Sequence, residues 1–102
     1  MIYELTLQAV KTKLDLFNPP AKIINSKELT CAIGIAYQQA GLALPDVAEN
    51  TMIQGLIEKC FHDIPSMDEK LKTMISEFVI PHNEMITNDS MITLKLGYEK
   101  GA

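Results

Sequence analysis

Residues 25–41, with the sequence NSKELTCAIGIAYQQAG, carry the signals for both ends of one helix. Asn25 can cap the first turn, and Glu28 follows at the spacing of a capping box. Gly41 is suited to end the helix in the left-handed conformation. The stretch therefore predicts a helix over residues 26–40. Its buried stripe, at three- and four-residue spacing, consists of Leu29, Ala32, Ile33, Ala36, Tyr37 and Ala40.

The same start signal occurs twice more along the chain. Asp46 is followed three residues later by Glu49, and Ser66 by Glu69. An apolar stripe at helical spacing comes after each signal, and a proline stands beyond each stripe. These patterns predict a third helix over residues 47–62 and a fourth over residues 67–79.

The N-terminal region has its own apolar stripe. Tyr3, Leu7, Val10, Leu14 and Phe17 are separated by four and three residues in turn, which indicates one face of a helix over residues 2–17. Alternation over residues 2–7 leaves a short initial strand as the alternative. The Asn-Pro-Pro triplet at positions 18–20 ends the helix, and residues 18–23 are predicted to be a linker.

The C-terminal region changes to a period of two. Ile92, Leu94, Leu96 and Tyr98 alternate with less apolar residues, which is typical of a strand with one buried face. Residues 84–87 resemble residues 90–93, so a hairpin that turns at positions 88–89 is expected, paired within the chain or between chains. The predicted fold is a mainly α single domain over residues 1–102, with four helices and a C-terminal β-hairpin. It becomes α+β if the hairpin is counted.

Composition excludes several classes of function. The 102 residues have a net charge of −4, all nine basic residues are lysines, and there is neither arginine nor tryptophan. Nucleic-acid binding is therefore not expected, because each phosphate contact needs a neutralising base.

There is no apolar run long enough for a membrane span, and no signal peptide is recognisable, so a cytoplasmic location is expected. Cys31 and Cys60 lie on different predicted helices and are expected to be buried free thiols.

One group of residues has the chemistry of a metal site. Cys60, His62, His82 and Glu84 offer sulfur, nitrogen and oxygen ligands that would suit zinc. Their spacing matches no zinc finger or His-Glu-x-x-His pattern. A metal-dependent enzyme that uses these residues is kept as an alternative. The main expectation is that the protein has no catalytic residues, no metal and no cofactor.

A second alternative is a DNA-binding helix-turn-helix made of the helices over residues 26–40 and 47–62. The second of these helices would have to enter the major groove with its N-terminus. Asp46 and Glu49 occupy that end, where they would be repelled by phosphate.

The remaining hypothesis is a small non-enzymatic module for protein–protein interaction or regulation, expected to form a homodimer. Its contact surfaces would be the apolar stripe of the first helix and the edge of the C-terminal strand. On this hypothesis, Leu7→Asp combined with Leu14→Asp abolishes association without unfolding the protein. The predicted interaction residues are Tyr3, Leu7, Val10, Leu14, Phe17, Ile92, Leu94, Leu96 and Tyr98.

Overall fold

The computed structural model describes residues 2–15, 25–77 and 84–101. In these ranges the chain forms five helices, and the prediction of a mainly α fold is confirmed. No strand occurs there beyond one isolated bridge between Met52 and Met85. None of the helices in the described ranges has the length and apolar character to cross a bilayer. The helices are α1 (Ile2–Asp15), α2 (Ser26–Ala40), α3 (Ile53–Asp63), α4 (Glu69–Ser76) and α5 (Asn88–Lys100).

Helix α2 is the centre of the fold. Every residue from 28 to 37 is buried, and α1, α3, α4 and α5 all pack against this helix. Both predicted ends of α2 are confirmed. Asn25 Oδ1 accepts a hydrogen bond from the Glu28 backbone N–H at 2.9 Å, and Gly41 ends the helix with a φ of 71°.

The backbones of α2 and α5 are in direct contact. A Cβ atom at Gly34 would overlap the Leu94 carbonyl oxygen and lie 2.7 Å from the Tyr98 amide nitrogen. A Cβ at Gly97 would overlap the Cys31 carbonyl oxygen. Side chains as large as alanine are therefore excluded at both crossing positions, and the pairing depends on glycine.

A buried hydroxyl pair also connects these two helices. The Oγ1 atoms of Thr30 and Thr93 are 2.6 Å apart, and both residues are completely buried. Each hydroxyl also lies within hydrogen-bonding distance of a carbonyl of its own helix, Ser26 for Thr30 and Ser90 for Thr93. One hydroxyl can thus donate across the interface while the other donates to its own backbone, so neither polar group is left unsatisfied.

The prediction of a C-terminal hairpin is wrong. Residues 88–100 form α5, and the Thr87 side chain caps the helix by accepting a hydrogen bond from the Ser90 N–H at 3.2 Å. The alternation of apolar residues over 92–98 does not correspond to burial. The buried residues of α5 and of the residue that follows it recur at helical spacing. They are Ser90, Thr93, Leu94, Gly97 and Gly101.

The third helix starts later than predicted. It begins at Ile53, because residues 50–53 pair with residues 84–86 instead of becoming helical. Asn50 adopts a left-handed φ of 71° and donates to the Ile86 carbonyl at 2.9 Å. Ile86 in turn donates to the Thr51 carbonyl at 2.7 Å. Asp46 and Glu49 therefore start no helix.

Two other boundaries can be compared with the sequence. Helix α4 is capped by Asp68, which accepts from the Lys70 N–H at 2.9 Å, and not by Ser66. Helix α1 is helical from Ile2, so the alternative of an initial strand is wrong. Phe17, the predicted linker over 18–23 and the predicted end of the fourth helix at 78–79 lie outside the described residues.

Candidate interaction site

The apolar stripe of α1 faces the interior of the protein. Leu7 and Val10 are buried, and Leu14 packs against the core while remaining partly exposed. Tyr3 is half-buried and donates a hydrogen bond to Asp89 Oδ1 at 2.7 Å. The stripe is therefore used to attach α1 to the rest of the chain. Leu7→Asp would place a charge in the core, so the double substitution that the sequence suggested cannot separate association from folding.

Polar contacts secure the same helix at both ends. Lys13 and Glu28 form an ion pair, and Lys100 donates to Glu4 Oε1 at 2.6 Å. Lys11 Nζ donates to the backbone carbonyl of Lys100 at 2.7 Å. Within the described part of the chain, α1 is therefore attached to both α2 and α5. On its outer side, Ile2 and Leu5 are each more than half exposed.

The second predicted interaction surface changes character because its residues are helical. Leu94 points from α5 into the core and is buried, whereas Ile92, Leu96 and Tyr98 are partly buried. A helix has no unpaired backbone edge, so the predicted strand pairing with a partner is not available at 92–98.

The predicted metal ligands are only partly described. Cys60 is buried, His62 is exposed and Glu84 is half-buried, while His82 lies outside the described residues. Across residues 2–15, 25–77 and 84–101, no group of three or more His, Cys, Asp or Glu side chains is arranged to hold a metal ion.

Both cysteines are buried free thiols, as the sequence predicted. Burial raises the pKa of the Cys31 thiol to about 12. Burial and the nearby Asp63 carboxylate raise the pKa of the Cys60 thiol to about 12. Because the thiolate is the reactive form, neither environment favours nucleophilic catalysis at neutral pH.

These pKa values predict slow thiol labelling. At pH 8 only roughly one thiol in ten thousand would be ionised at each position in the folded protein. We expect Ellman's reagent to leave both cysteines unmodified for many minutes in buffer and to modify both at once in denaturant. Absorbance at 412 nm measures the extent. Rapid stoichiometric labelling of the folded protein would contradict the burial of these thiols.

The connection between α2 and α3 does not have helix-turn-helix geometry. Helix α2 ends at Ala40 and α3 begins at Ile53, whereas the motif joins its helices by a turn of about three or four residues. Residues 42–52 are irregular and include no helix. The helices over 26–40 and 53–63 therefore do not form the predicted helix-turn-helix.

Exposed apolar side chains lie on this irregular segment and on residue 85, which pairs with it. Met52 is 40% exposed and its bridge partner Met85 is 43% exposed, while Leu42 is exposed to a similar extent. Long connections without secondary structure are commonly functional, and exposed methionines adapt to varied partners. In the run Leu-Ala-Leu-Pro at positions 42–45, Leu42 is exposed whereas Leu44 packs against the core, so the sequence alone does not distinguish the surface residues from the buried ones.

A small cleft lies between this segment and α5. Its volume is about 190 Å³, and it presents more apolar than polar surface. We call it the α5 cleft. Two larger cavities beside α4, of about 360 and 380 Å³, share Gln39, Asp68 and Leu71 and are more polar. The α5 cleft is lined by Leu44, Pro45, Asp46, Val47, Met91, Leu94 and Lys95.

Comparison with known proteins gives a family and no function. The sequence model of a domain of unknown function, DUF3837, matches residues 1–101. No curated protein and no solved structure matches the chain.

Proposed function

We propose that this chain, which belongs to the DUF3837 family, is a protein-interaction module without catalytic activity. It would bind another protein, or a second copy of itself, through the α5 cleft and the exposed apolar side chains beside it. The proposal includes a cytoplasmic location, where both cysteines would remain reduced.

The observation that carries this proposal is the apolar lining of the α5 cleft. Leu44 and Val47 come from the irregular segment, and Met91 and Leu94 come from α5. Apolar side chains held on a rigid helix and on an irregular connection form a surface that an apolar side chain of a partner can enter. The cleft is smaller than the roughly 300–1,000 Å³ of typical small-molecule pockets, which favours a side chain over a free ligand.

The remaining chemistry supports an interaction role. The two thiols are buried with raised pKa values, which removes the obvious nucleophiles. The stripe of α1 is occupied by internal packing at Leu7 and Val10, which supports the choice of the cleft as the proposed binding surface.

The experiment compares two aspartate substitutions on the same segment. Val47→Asp places a charge in the lining of the cleft, whereas Ala43→Asp places the same charge at an exposed position that is not part of the lining. We expect Val47→Asp to abolish binding and Ala43→Asp to preserve it. Because Val47 is half-buried against the core, circular dichroism and urea denaturation of both variants establish that each is folded before binding is compared.

Two measurements detect binding in this comparison. Sedimentation at increasing concentration detects a homodimer, and affinity capture from the native host followed by mass spectrometry detects another protein. A partner or dimer that is lost with Val47→Asp and kept with Ala43→Asp supports the proposal. The proposal would be refuted if the wild type sediments as a monomer and if affinity capture finds no protein that is lost with Val47→Asp.

A further inference from the structure

Met85 lies at the outer edge of a short backbone ladder. Residues 50–53 and 84–86 run antiparallel, with Met52 and Met85 as the bridge pair. Hydrogen bonds of 2.7 and 3.3 Å flank this pair, and they join the residues on either side of Met52 to those on either side of Met85. In an antiparallel ladder, a residue at such a position directs its own N–H and C=O away from the neighbouring strand. Both backbone groups of Met85 therefore point to the outside of the ladder.

The N–H and the carbonyl of Met85 can accept a further strand. In the part of the chain that the structure describes, neither group makes a hydrogen bond. The other side of the ladder is closed, because the Met52 carbonyl accepts from the N–H groups of Gly55 and Leu56 in the first turn of α3. An edge that presents both an unpaired donor and an unpaired acceptor is a template for the addition of a strand.

The side chains at this edge are apolar and exposed on one face of the ladder. Met85 is 43% exposed and Met52 is 40% exposed. A bridge pair of this type places its two side chains next to each other on the same face. The neighbouring Ile86 is buried in the core and holds the ladder against the body of the protein. The edge is thus anchored on its inner face and open on its outer face.

We infer that this edge pairs with the same edge of a second copy of the chain, antiparallel about a two-fold axis at Met85. The N–H of Met85 would donate to the carbonyl of the partner's Met85, and the partner's Met85 would donate back. A hydrogen-bonded pair across a two-fold axis needs a single residue with both groups unpaired, which is what the ladder presents. The inference goes beyond the proposed function, because Met85 is not in the lining of the α5 cleft and the pairing does not depend on what the cleft binds.

Side chains and charges at the edge also suit a second copy. Met52, Met85 and the same two residues of the partner would form a row of four methionines across four strands, so each Met85 would gain a second apolar neighbour. Glu84 would lie opposite the partner's Ile86 and not opposite another carboxylate, which avoids the cost of like charges facing each other across a sheet. A second copy therefore matches the edge in hydrogen bonds, apolar contacts and charge.

Cysteine substitutions test the symmetry of this pairing. Two Met85→Cys side chains would face each other with Cα atoms about 5.5 Å apart, a separation that a disulfide spans. Two Met52→Cys side chains would be three strand spacings apart, about 14 Å, which a disulfide cannot span. The native Cys31 and Cys60 are buried and do not compete. With oxidised glutathione, we expect Met85→Cys to form a covalent dimer at least about tenfold faster than Met52→Cys, as measured on non-reducing gels.

A control and a second measurement accompany the cross-linking. Because Met52 and Met85 are equally exposed, Ellman's reagent should label the two introduced thiols at similar rates. Sedimentation equilibrium then follows the wild type at up to about 1 mM, since so small an interface is expected to be weak. Met85→Pro removes the outward N–H and none of the ladder bonds, and it should abolish association. Met85→Thr keeps that N–H and should weaken association less than about threefold. Circular dichroism establishes that each variant is folded.

Three results would overturn the inference. They are equal cross-linking of Met85→Cys and Met52→Cys, a wild type that remains monomeric at every concentration, and equal association of Met85→Pro and Met85→Thr. The proposed function is judged by other variants. Val47→Asp should leave this dimer intact, whereas a dimer that is lost with Val47→Asp and kept with Met85→Pro would form through the α5 cleft and would show the pairing at Met85 to be wrong.

Discussion

Gly97→Ala is expected to destabilise the protein by about 3 kcal/mol, a large part of the roughly 5–15 kcal/mol that is typical of a folded domain. The added methyl group would overlap the carbonyl oxygen of Cys31 on the facing helix and lie 3.0 Å from the carbonyl carbon. Both atoms belong to the backbone of the buried part of α2, so they cannot move aside as a flexible side chain would. Urea denaturation followed by circular dichroism measures the change in the free energy of unfolding.

The chain provides a matched control for this substitution. Gly55 lies inside α3, and a Cβ atom there would meet nothing within 4 Å. Gly55→Ala should stabilise the protein by about 0.5–1 kcal/mol, because alanine restricts the unfolded chain and favours the helix. If Gly97→Ala has the same small effect as Gly55→Ala, the close contact between α2 and α5 is wrong.

The contact between α2 and α5 also explains which helices could be predicted from the sequence. Helix α2 has large apolar side chains, an asparagine cap and a terminal glycine, so every local signal agreed. Helix α5 buries serine, threonine and glycine against α2, and these residues contribute little to an apolar pattern. Its partly exposed Ile92, Leu96 and Tyr98 produced an alternation that imitated a strand.

The start of α3 illustrates a different limit. Asp46 and Glu49 have the spacing of a capping box, but the buried stripe begins only at Ile53. Residues 50–53 are held by backbone hydrogen bonds with residues 84–86, which lie more than thirty positions away in the sequence. A local sequence pattern contains no information about such a pairing, because it depends on where the chain returns.

The candidate site depended on the same long-range arrangement. The stripe of α1 correctly indicated an apolar face, but an amphipathic pattern does not specify whether that face packs within the chain or on a partner. The α5 cleft joins Val47 to Met91, which lie on segments that the sequence assigned to a helix and a hairpin. Neither assignment would have placed the two side chains together.

Lys13→Met is expected to destabilise the protein by about 2–3 kcal/mol. Lys13 forms an ion pair with Glu28, whose side chain is 6% exposed, while the Lys13 side chain is 20% exposed. Removing the ammonium group leaves a carboxylate that is almost out of contact with water. Among the described residues, the side-chain donor that remains beside it is the Asn25 amide, at 3.3 Å. The free energy of unfolding in urea gives the loss directly.

The exposed ion pair between Lys100 and Glu4 serves as the control for Lys13→Met. Lys100 pairs with Glu4, and these side chains are 56% and 44% exposed, so Lys100→Met should reduce the free energy of unfolding much less than Lys13→Met does. Adding Glu28→Gln to Lys13→Met should recover part of the loss, because the neutral amide costs less to bury without a cation than the carboxylate does. The prediction would be contradicted if Lys13→Met and Lys100→Met lower the free energy of unfolding equally and if adding Glu28→Gln to Lys13→Met recovers none of it. The burial of Glu28 would then not determine the strength of its contact with Lys13. Helix α1 would then be held in place by its apolar contacts and its other hydrogen bonds, without a special contribution from this ion pair.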